Sequence, residues 1–509
     1  MVSTPGINSM SDFDALRHIG ELVDKGGDTG NPDCANRALE FADELEARGV
    51  PPKLAAVLDY FRANAWEVRY LQRLSDRALV WDWEQPEVQQ QVFLLRRVMN
   101  GPLFDDLHPM NRCQILTNLG NQLDKLGRFV EAQAMWSRAL AIDPNFWMAR
   151  ANRGNGLMNY LREIYDSGHK FVLAAHAHRD LADAVDHIAT FPDRGDIRLA
   201  VQFAKSRDQI ASSFDVARFW AEHEPDRWGL GDAPGEAAYR RWCLDNVLFL
   251  NPLNDVEHTS IAARDILGLP NFRIGLSEPP IVIGMANELK QGFASARWLL
   301  YDGTHTDSVH FSDREVLLLN TLDYPAYGLS VEKVKLAFRM AYSTLDKIAF
   351  FLNHYLALGI PEKRVGFRTM WREKENGPIR DAFIQSENWP WRGLFWLSKD
   401  LFDERMRETI EPDARALADL RNHLEHKYVK VHEMGPPTAG PGDPFHDTLA
   451  YAIGRTDLER RTLKLLQLTR AALIYLFLGM HRMERGRETD EGGFVGLMPL
   501  DPLDDEWKR

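Results

Sequence analysis

The sequence predicts an all-α protein, because apolar residues recur at the helical period of 3.6 along most of the chain and strand-like alternation is rare. The punctuation between periodic stretches is also that of helix ends. The best strand candidate is the short run Pro280 to Ile283. At 509 residues the chain is too long for one hydrophobic core, so two domains, or one domain and a helical array, are expected. Its 45% hydrophobic and 27% charged residues are those of a globular chain and not of a disordered one.

In the N-terminal half, Leu116, Leu119, Gly120, Leu123, Ala132, Trp136, Ala139 and Pro144 fall at intervals that pair two antiparallel helices. Small Gly120, Ala132 and Ala139 permit close approach, Leu123 and Trp136 fill the space between, and Pro144 stops the second helix. This spacing resembles a tetratricopeptide repeat. One such unit cannot bury its own face, so neighbours are expected, one at Asn145 to Leu157 and a degenerate one at Ala35 to Gly49. Repeats of this kind are scaffolds, and no chemistry is expected from them.

Asn251 to Asp255 and the Pro- and Gly-containing stretch Gly268 to Pro280 read as a boundary. The expected organisation is a tetratricopeptide-like helical domain over 1–255, a linker over 256–280, a four-helix bundle with insertions over 281–490 and a tail over 491–509, within an acidic stretch that opens at Glu488. The bundle's first helix is expected from Gly284 to Asp302, stopping at Gly303. The second starts after Ser330, an N-cap candidate followed by Glu332, and ends at Gly359 and Pro361. The third begins at Pro412, and the fourth opens with Thr456 and Glu459 in capping-box spacing. Between the second and third lies a long insertion whose Trp371, Trp389, Trp391 and Trp396 are expected to pack.

Several function classes are disfavoured. Cys34, Cys113 and Cys243 are odd in number and far apart, which fits neither a disulfide framework nor zinc-ligand spacing and points to a reducing compartment. The first twenty residues do not read as a secretory signal, so a cytoplasmic location is expected. The apolar run Ala471 to Met480 is about half the length that a bilayer demands and is expected to be a core helix, with no membrane partner. A net charge of −13 argues against broad attraction to a phosphate backbone, so any nucleic acid must bind locally. The densest basic stretch, Lys363, Arg364, Arg368, Arg372 and Lys374 with Phe367 and Trp371, has the residue types to contact phosphates and stack on bases; the alternative is a solvated face. His176 and His178 are about 200° apart on a helix and cannot share an ion there, and no metal site is expected. No P-loop, dinucleotide glycine pattern or nucleophile elbow stands out.

The third helix, read from Pro412 to Val431, carries an apolar stripe of Leu417, Leu420, Leu424, Tyr428 and Val431. Arg421 lies about 60° from the centre of that stripe and His426 about 160°, with Asn422 near it, so these polar groups face away from their own core. Arg421-Asn422-x-x-x-His426 resembles the R-x4-6-H motif, in its R-N-x-x-x-H form, of the HEPN (higher eukaryote and prokaryote nucleotide-binding) superfamily, and its place on the third of four helices matches too. Bacterial members with tetratricopeptide-like regions are similar over most of the chain. The resemblance implies a metal-independent endoribonuclease with no cofactor, and a homodimer that pairs two motifs across its interface. It further implies a toxin or phage-defence role, with a protein partner or antitoxin on the helical array.

Chemistry gives these residue types a reason. Metal-free RNA cleavage requires a 2′-hydroxyl to lose a proton and attack phosphorus, a 5′ oxygen to leave, and charge on the phosphoryl oxygens to be neutralised. Histidine titrates near neutrality and moves such protons. Arginine presents a planar charged fork to phosphate. Asn422, one turn before His426, can hold the imidazole or a phosphate oxygen. One motif supplies one histidine, so separate acid and base roles call for a second copy. Two further residues are implicated through the family: Tyr428, which completes R-x4-H-x-Y and resembles the tyrosine that a partner antitoxin nucleotidylates, although the helical stripe argues for packing; and Glu288, which could orient the site. The plainer reading makes Arg421 and Glu425 an i,i+4 surface ion pair and His426 a solvated residue. The rival function is a noncatalytic nucleotide-binding or interaction scaffold on the same fold.

Overall fold

The computed structural model describes residues 7–74, 76–190, 197–271, 279–306, 308–374, 376–402, 412–433, 447, 449–486 and 502–508. Most of the expected tail lies outside them. The described residues are overwhelmingly helical. Helices α1 (Asp12–Thr29), α2 (Pro32–Ala47), α3 (Pro52–Arg73), α4 (Pro86–Met99), α5 (Pro109–Lys125), α6 (Phe129–Ile142), α7 (Trp147–Glu163), α8 (Ser167–Thr190) and α9 (Ile197–Ser213) each pack on the next or the next but one. Local signals set their ends. The Ser11 side chain accepts from the Asp14 amide at the start of α1, and Gly30, at φ +65°, closes it.

The α5–α6 hairpin forms where the small residues predict it. A Cβ on Gly120 would fall 2.6 Å from Trp136 Nε1, and Gly156 of α7 lies against the other edge of the same indole. The two glycines therefore make the slot that Trp136 fills, and its Nε1 donates to Asn121 Oδ1 at 3.0 Å. Two short helices follow, α10 (Val216–Glu222) and α11 (Glu236–Asp245).

In the C-terminal half come α12 (Ile281–Thr304), α13 (Leu329–Tyr355), the single turn α14 (Asp381–Ile384), α15 (Trp389–Phe402) and α16 (Pro412–His426). They are followed by β1 (Tyr428–His432), β2 (Ala450–Gly454) and α17 (Arg455–Gly486). Helices α12, α13 and α17 pack mutually, α15 packs on α17, and α16 rests on α13, α15 and α17. Residues Ala471 to Met480 of α17 are all buried. This is the one helix among the described residues that is long and apolar enough to cross a membrane, and 83% of its most apolar stretch is buried in the protein.

One hydrophobic core runs from Ala63 to Met480, with a smaller cluster among α1–α3. The aromatic insertion joins the two halves. Helix α15 is buried on nearly every side, as a helix apolar all round must be. Trp396 Nε1 donates to the Trp83 carbonyl at 2.9 Å, and Trp389 Nε1 to that of Asp124 at 3.1 Å. Gly393 meets the backbone of Gly127, itself at φ +83°, so closely that a Cβ on either would collide with the other chain segment. Asp400 of α15 pairs with the buried Arg96 (2.7 Å) and Arg128. From α17, Arg470 binds Asp255 (2.6 Å) and the carbonyls of Phe249 and Asn251. Within the stretch expected as a linker, Ser260, Ala262, Ala263 and Leu267 are buried in this core, and residues 272–278 lie outside the described ones.

The structure corrects several local expectations. Pro280–Ile283 is no strand: Pro280 is the N-cap of α12, whose apolar first turn mimics alternation. Gly328, not Ser330, caps α13. The third helix stops at His426, and its expected last turn is strand β1, which pairs in parallel with β2 from Tyr428↔Ala450 to His432↔Gly454. The β-branched Val429 and Val431 favour that conformation. Phe367 and Trp371 are 0% and 2% exposed, and Arg372 pairs with Glu84, so these aromatics offer no stacking face beside the basic stretch.

Burial of His481 on α17 yields a pH-dependent stability. Its Nε2 donates to the Gly268 carbonyl at 3.0 Å and its ring stacks on Tyr165 at 3.8 Å. Burial pushes its pKa from 6.5 down to about 4. The unfolded chain therefore takes up a proton that the fold refuses, and stability is lost progressively as pH falls from 6.5 to about 4. Thermal midpoints of the native protein should fall more steeply over that window than those of His481→Phe; equal slopes would contradict the assignment.

Candidate active site

The exposed motif face of α16 exists because Leu417 and Leu420 bury the opposite face against the core, with Leu424 packed at its edge. Arg421 is half-buried. Its guanidinium lies 5.5 Å from the centroid of the Tyr342 ring on α13, and Nη1 reaches Asn422 Oδ1 at 3.4 Å. Asn422 and His426 are exposed. His426 is the last residue of α16, and no hydrogen bond to its imidazole is formed among the described residues. Five residues apart, Arg421 and His426 diverge by about 140° around the helix, with Asn422 between them and one turn below His426. A single chain thus presents a guanidinium, an amide and an imidazole along one open ridge, not converged on one point.

Glu425 does not pair with Arg421 as the plainer reading held. Arg339 of α13 binds it through Nε (3.0 Å) and Nη2 (3.2 Å), and this bond, with the nearby charges of Arg421 and His426, holds its carboxyl below the usual range. Glu425 is thereby engaged as an ion-pair partner, and Arg421 keeps its guanidinium free of a carboxylate among the described residues. Arg339 is the contribution that sequence reasoning missed. It lies 86 residues away, and nothing local signals it.

Glu288 is not brought to the motif. It is exposed on α12 and pairs with Lys347. Tyr428 is corrected most. It lies on β1 and not on a packed helical stripe, is 45% exposed, and gives its hydroxyl to Asp447. Next to it the buried Lys430 binds Asp323 (2.7 Å) and Asp447 (3.3 Å), while the Ala326 amide donates to the Val431 carbonyl at 2.6 Å. The 309–327 segment is thus fastened to the strand that follows His426. No group of His, Cys, Asp and Glu among the described residues is placed to hold a metal; His176 instead pairs with Glu257 at 2.7 Å.

A buried helical bundle whose third-helix motif turns Arg, Asn and His outward defines the class. Residues 274–483 match the family described as LA2681-like HEPN, and through this domain the chain belongs to the HEPN superfamily. Many such domains are ribonucleases, so a ribonuclease-type or nucleotide-related function follows at that level. No curated protein and no solved structure matches the chain.

Proposed function

We propose that the protein is a metal-independent endoribonuclease that cuts RNA to a 2′,3′-cyclic phosphate, in a cytoplasmic toxin or phage-defence role. The observation that carries this reading is the exposed Arg421-Asn422-His426 ridge of a HEPN domain, which core packing does not consume. In this reading His426 moves the proton at the 2′-hydroxyl or the 5′ oxygen, Arg421 neutralises the phosphoryl oxygens, and Asn422 orients one of them. The N-terminal hairpins are a tetratricopeptide-like array that receives a protein partner or antitoxin. The Tyr428 hydroxyl, exposed at the start of β1, is open to a modifying partner.

Acid and base roles need two imidazoles, and the divergence of Arg421 from His426 leaves one chain incomplete; a homodimer follows. Its surface in this account is the segment fastened to β1. Val316, Leu317, Leu318, Leu319, Leu322 and Tyr324 are all exposed, Leu317 at 90%, which exceeds what a monomer's surface ordinarily carries in one patch. Glu315, Leu322 and Tyr324 also hold positive φ, a strained backbone that contacts across an interface offset. Leu317→Glu with Leu319→Glu should halve the mass seen by light scattering and abolish cleavage. A native protein that is already a monomer, or a monomeric variant that still cuts, would contradict the dimer.

The function itself is tested by incubating the protein with mixed RNA in EDTA. Cleavage is expected to persist; loss of cutting with EDTA would refute the metal-free mechanism, and no cutting under any condition would favour a noncatalytic nucleotide-binding or interaction role.

A further inference from the structure

The N-terminal helices enclose an open cavity of about 280 Å³ whose wall is dominated by side-chain amides. Asn118, Asn121 and Gln122 come from α5 and Asn152, Asn155 and Asn159 from α7, at spacings that keep each set on one helix face. Asn64 and Gln91 close the wall from α3 and α4. Gln91 Nε2, Gln122 Oε1 and Asp124 Oδ1 are shut off from solvent with no hydrogen-bond partner among the described residues. Gln91 is 1% exposed and Gln122 4%. Each such orphan costs about 1–3 kcal/mol, and folded proteins rarely leave three on one wall.

We propose that this cavity binds an extended, uncharged peptide segment of a partner protein and recognises its backbone through these amides. An amide side chain offers an acceptor and two donors, the complement of a peptide unit's N–H and C=O. From Asn152 to Asn159 the ladder on α7 rises about 10.5 Å, the length of about three extended residues. Burial pushes the Asp124 carboxyl up to about 7, so near neutrality it serves as donor or acceptor. Charge argues against a phosphate: Glu67 and Asp124 line the wall, and the cation there, Lys125, is held by Glu67 at 2.6 Å. A nucleobase would lack a stacking face, since Trp136 is 1% exposed. A second cavity of about 340 Å³ shares Asn64 and is walled by Ala56, Val57, Tyr60, Phe61 and Ile115, a place for one apolar side chain beside the backbone-binding stretch.

This gives a chemistry to the partner proposed for the helical array, and it stands apart from RNA cleavage because binding is read without RNA. The test uses the full chain and a library of blocked, uncharged pentapeptides, each with one phenylalanine or leucine, followed by fluorescence polarisation. Saturable binding of a subset is expected. It should weaken at least about tenfold, or about 1.4 kcal/mol, when two backbone amides of the peptide are replaced by esters, and equally in Asn155→Ala. Gln91→Leu should lose binding while its thermal midpoint rises, because an unpartnered buried amide is removed. The proposal is overturned if no pentapeptide binds, if ester peptides or the variants bind as the native pair does, or if a mixed-sequence oligoribonucleotide binds in an Asn155-dependent way instead.

Discussion

Replacing His426 by alanine is expected to slow RNA cleavage at least about 100-fold, the lower end of what a positioned proton-transfer group contributes. Arg421→Ala is expected to cost a comparable factor, because nothing else on α16 places a permanent charge against the phosphoryl oxygens as negative charge builds on them. The exposure of His426 makes the comparison clean: its removal opens no cavity, so the thermal midpoint should hold while the rate falls. Asn422→Ala should fall between native and these two, as a positioning group whose loss misorients the others. Initial rates on a labelled RNA with circular dichroism on the same samples check all three. Rates for His426→Ala within about threefold of native would remove the histidine from the chemistry.

The largest effect on stability is expected from Asp400→Ala. Asp400, Arg96 and Arg128 are each 3% exposed or less, and the carboxylate is the shared counter-charge of both arginines. Removing it strands positive charge in the core, where an unpaired buried ion costs about 3–5 kcal/mol. The damage should not stay local. Asp400 sits on α15, which joins the N-terminal helices to α17 and supports α16, so activity should fall together with the unfolding midpoint. Denaturant titration followed by tryptophan fluorescence reads this directly, since Trp389, Trp391 and Trp396 lie on the same helix. An unchanged midpoint would mean that the two arginines find other partners and that the joint between the halves does not depend on this carboxylate.

How far the sequence could be read depended on whether the deciding interaction was local. The α5–α6 hairpin was legible because Gly120 and Trp136 must meet for either to make sense, and the core helix α17 because Ala471 to Met480 has no polar face. The motif helix and the outward direction of Asn422 and His426 were also legible, since helical angle fixes them once Leu417 and Leu420 are known to be inside. What failed was non-local. The end of α16 at His426 carries no glycine or proline; Tyr428 to His432 becomes strand because a partner 22 residues on pairs with it, as in Tyr428↔Ala450. That pairing turned Tyr428 from a packed residue into an exposed one. The Arg339–Glu425 bond, the seat of Asp400 between two arginines, and the assembly of amides from α3, α4, α5 and α7 around one cavity depend likewise on tertiary approach. Along the chain those asparagines and glutamines look like ordinary solvated helix faces.

The most direct examination of the proposed chemistry is the identity of the ends left on a 5′-labelled RNA after incubation with the native protein in EDTA. The account expects a 2′,3′-cyclic phosphate on the upstream fragment and a 5′-hydroxyl on the downstream one, both absent with His426→Ala. Fragments carrying 5′-phosphate and 3′-hydroxyl ends, or the same cyclic ends from the variant, would contradict it.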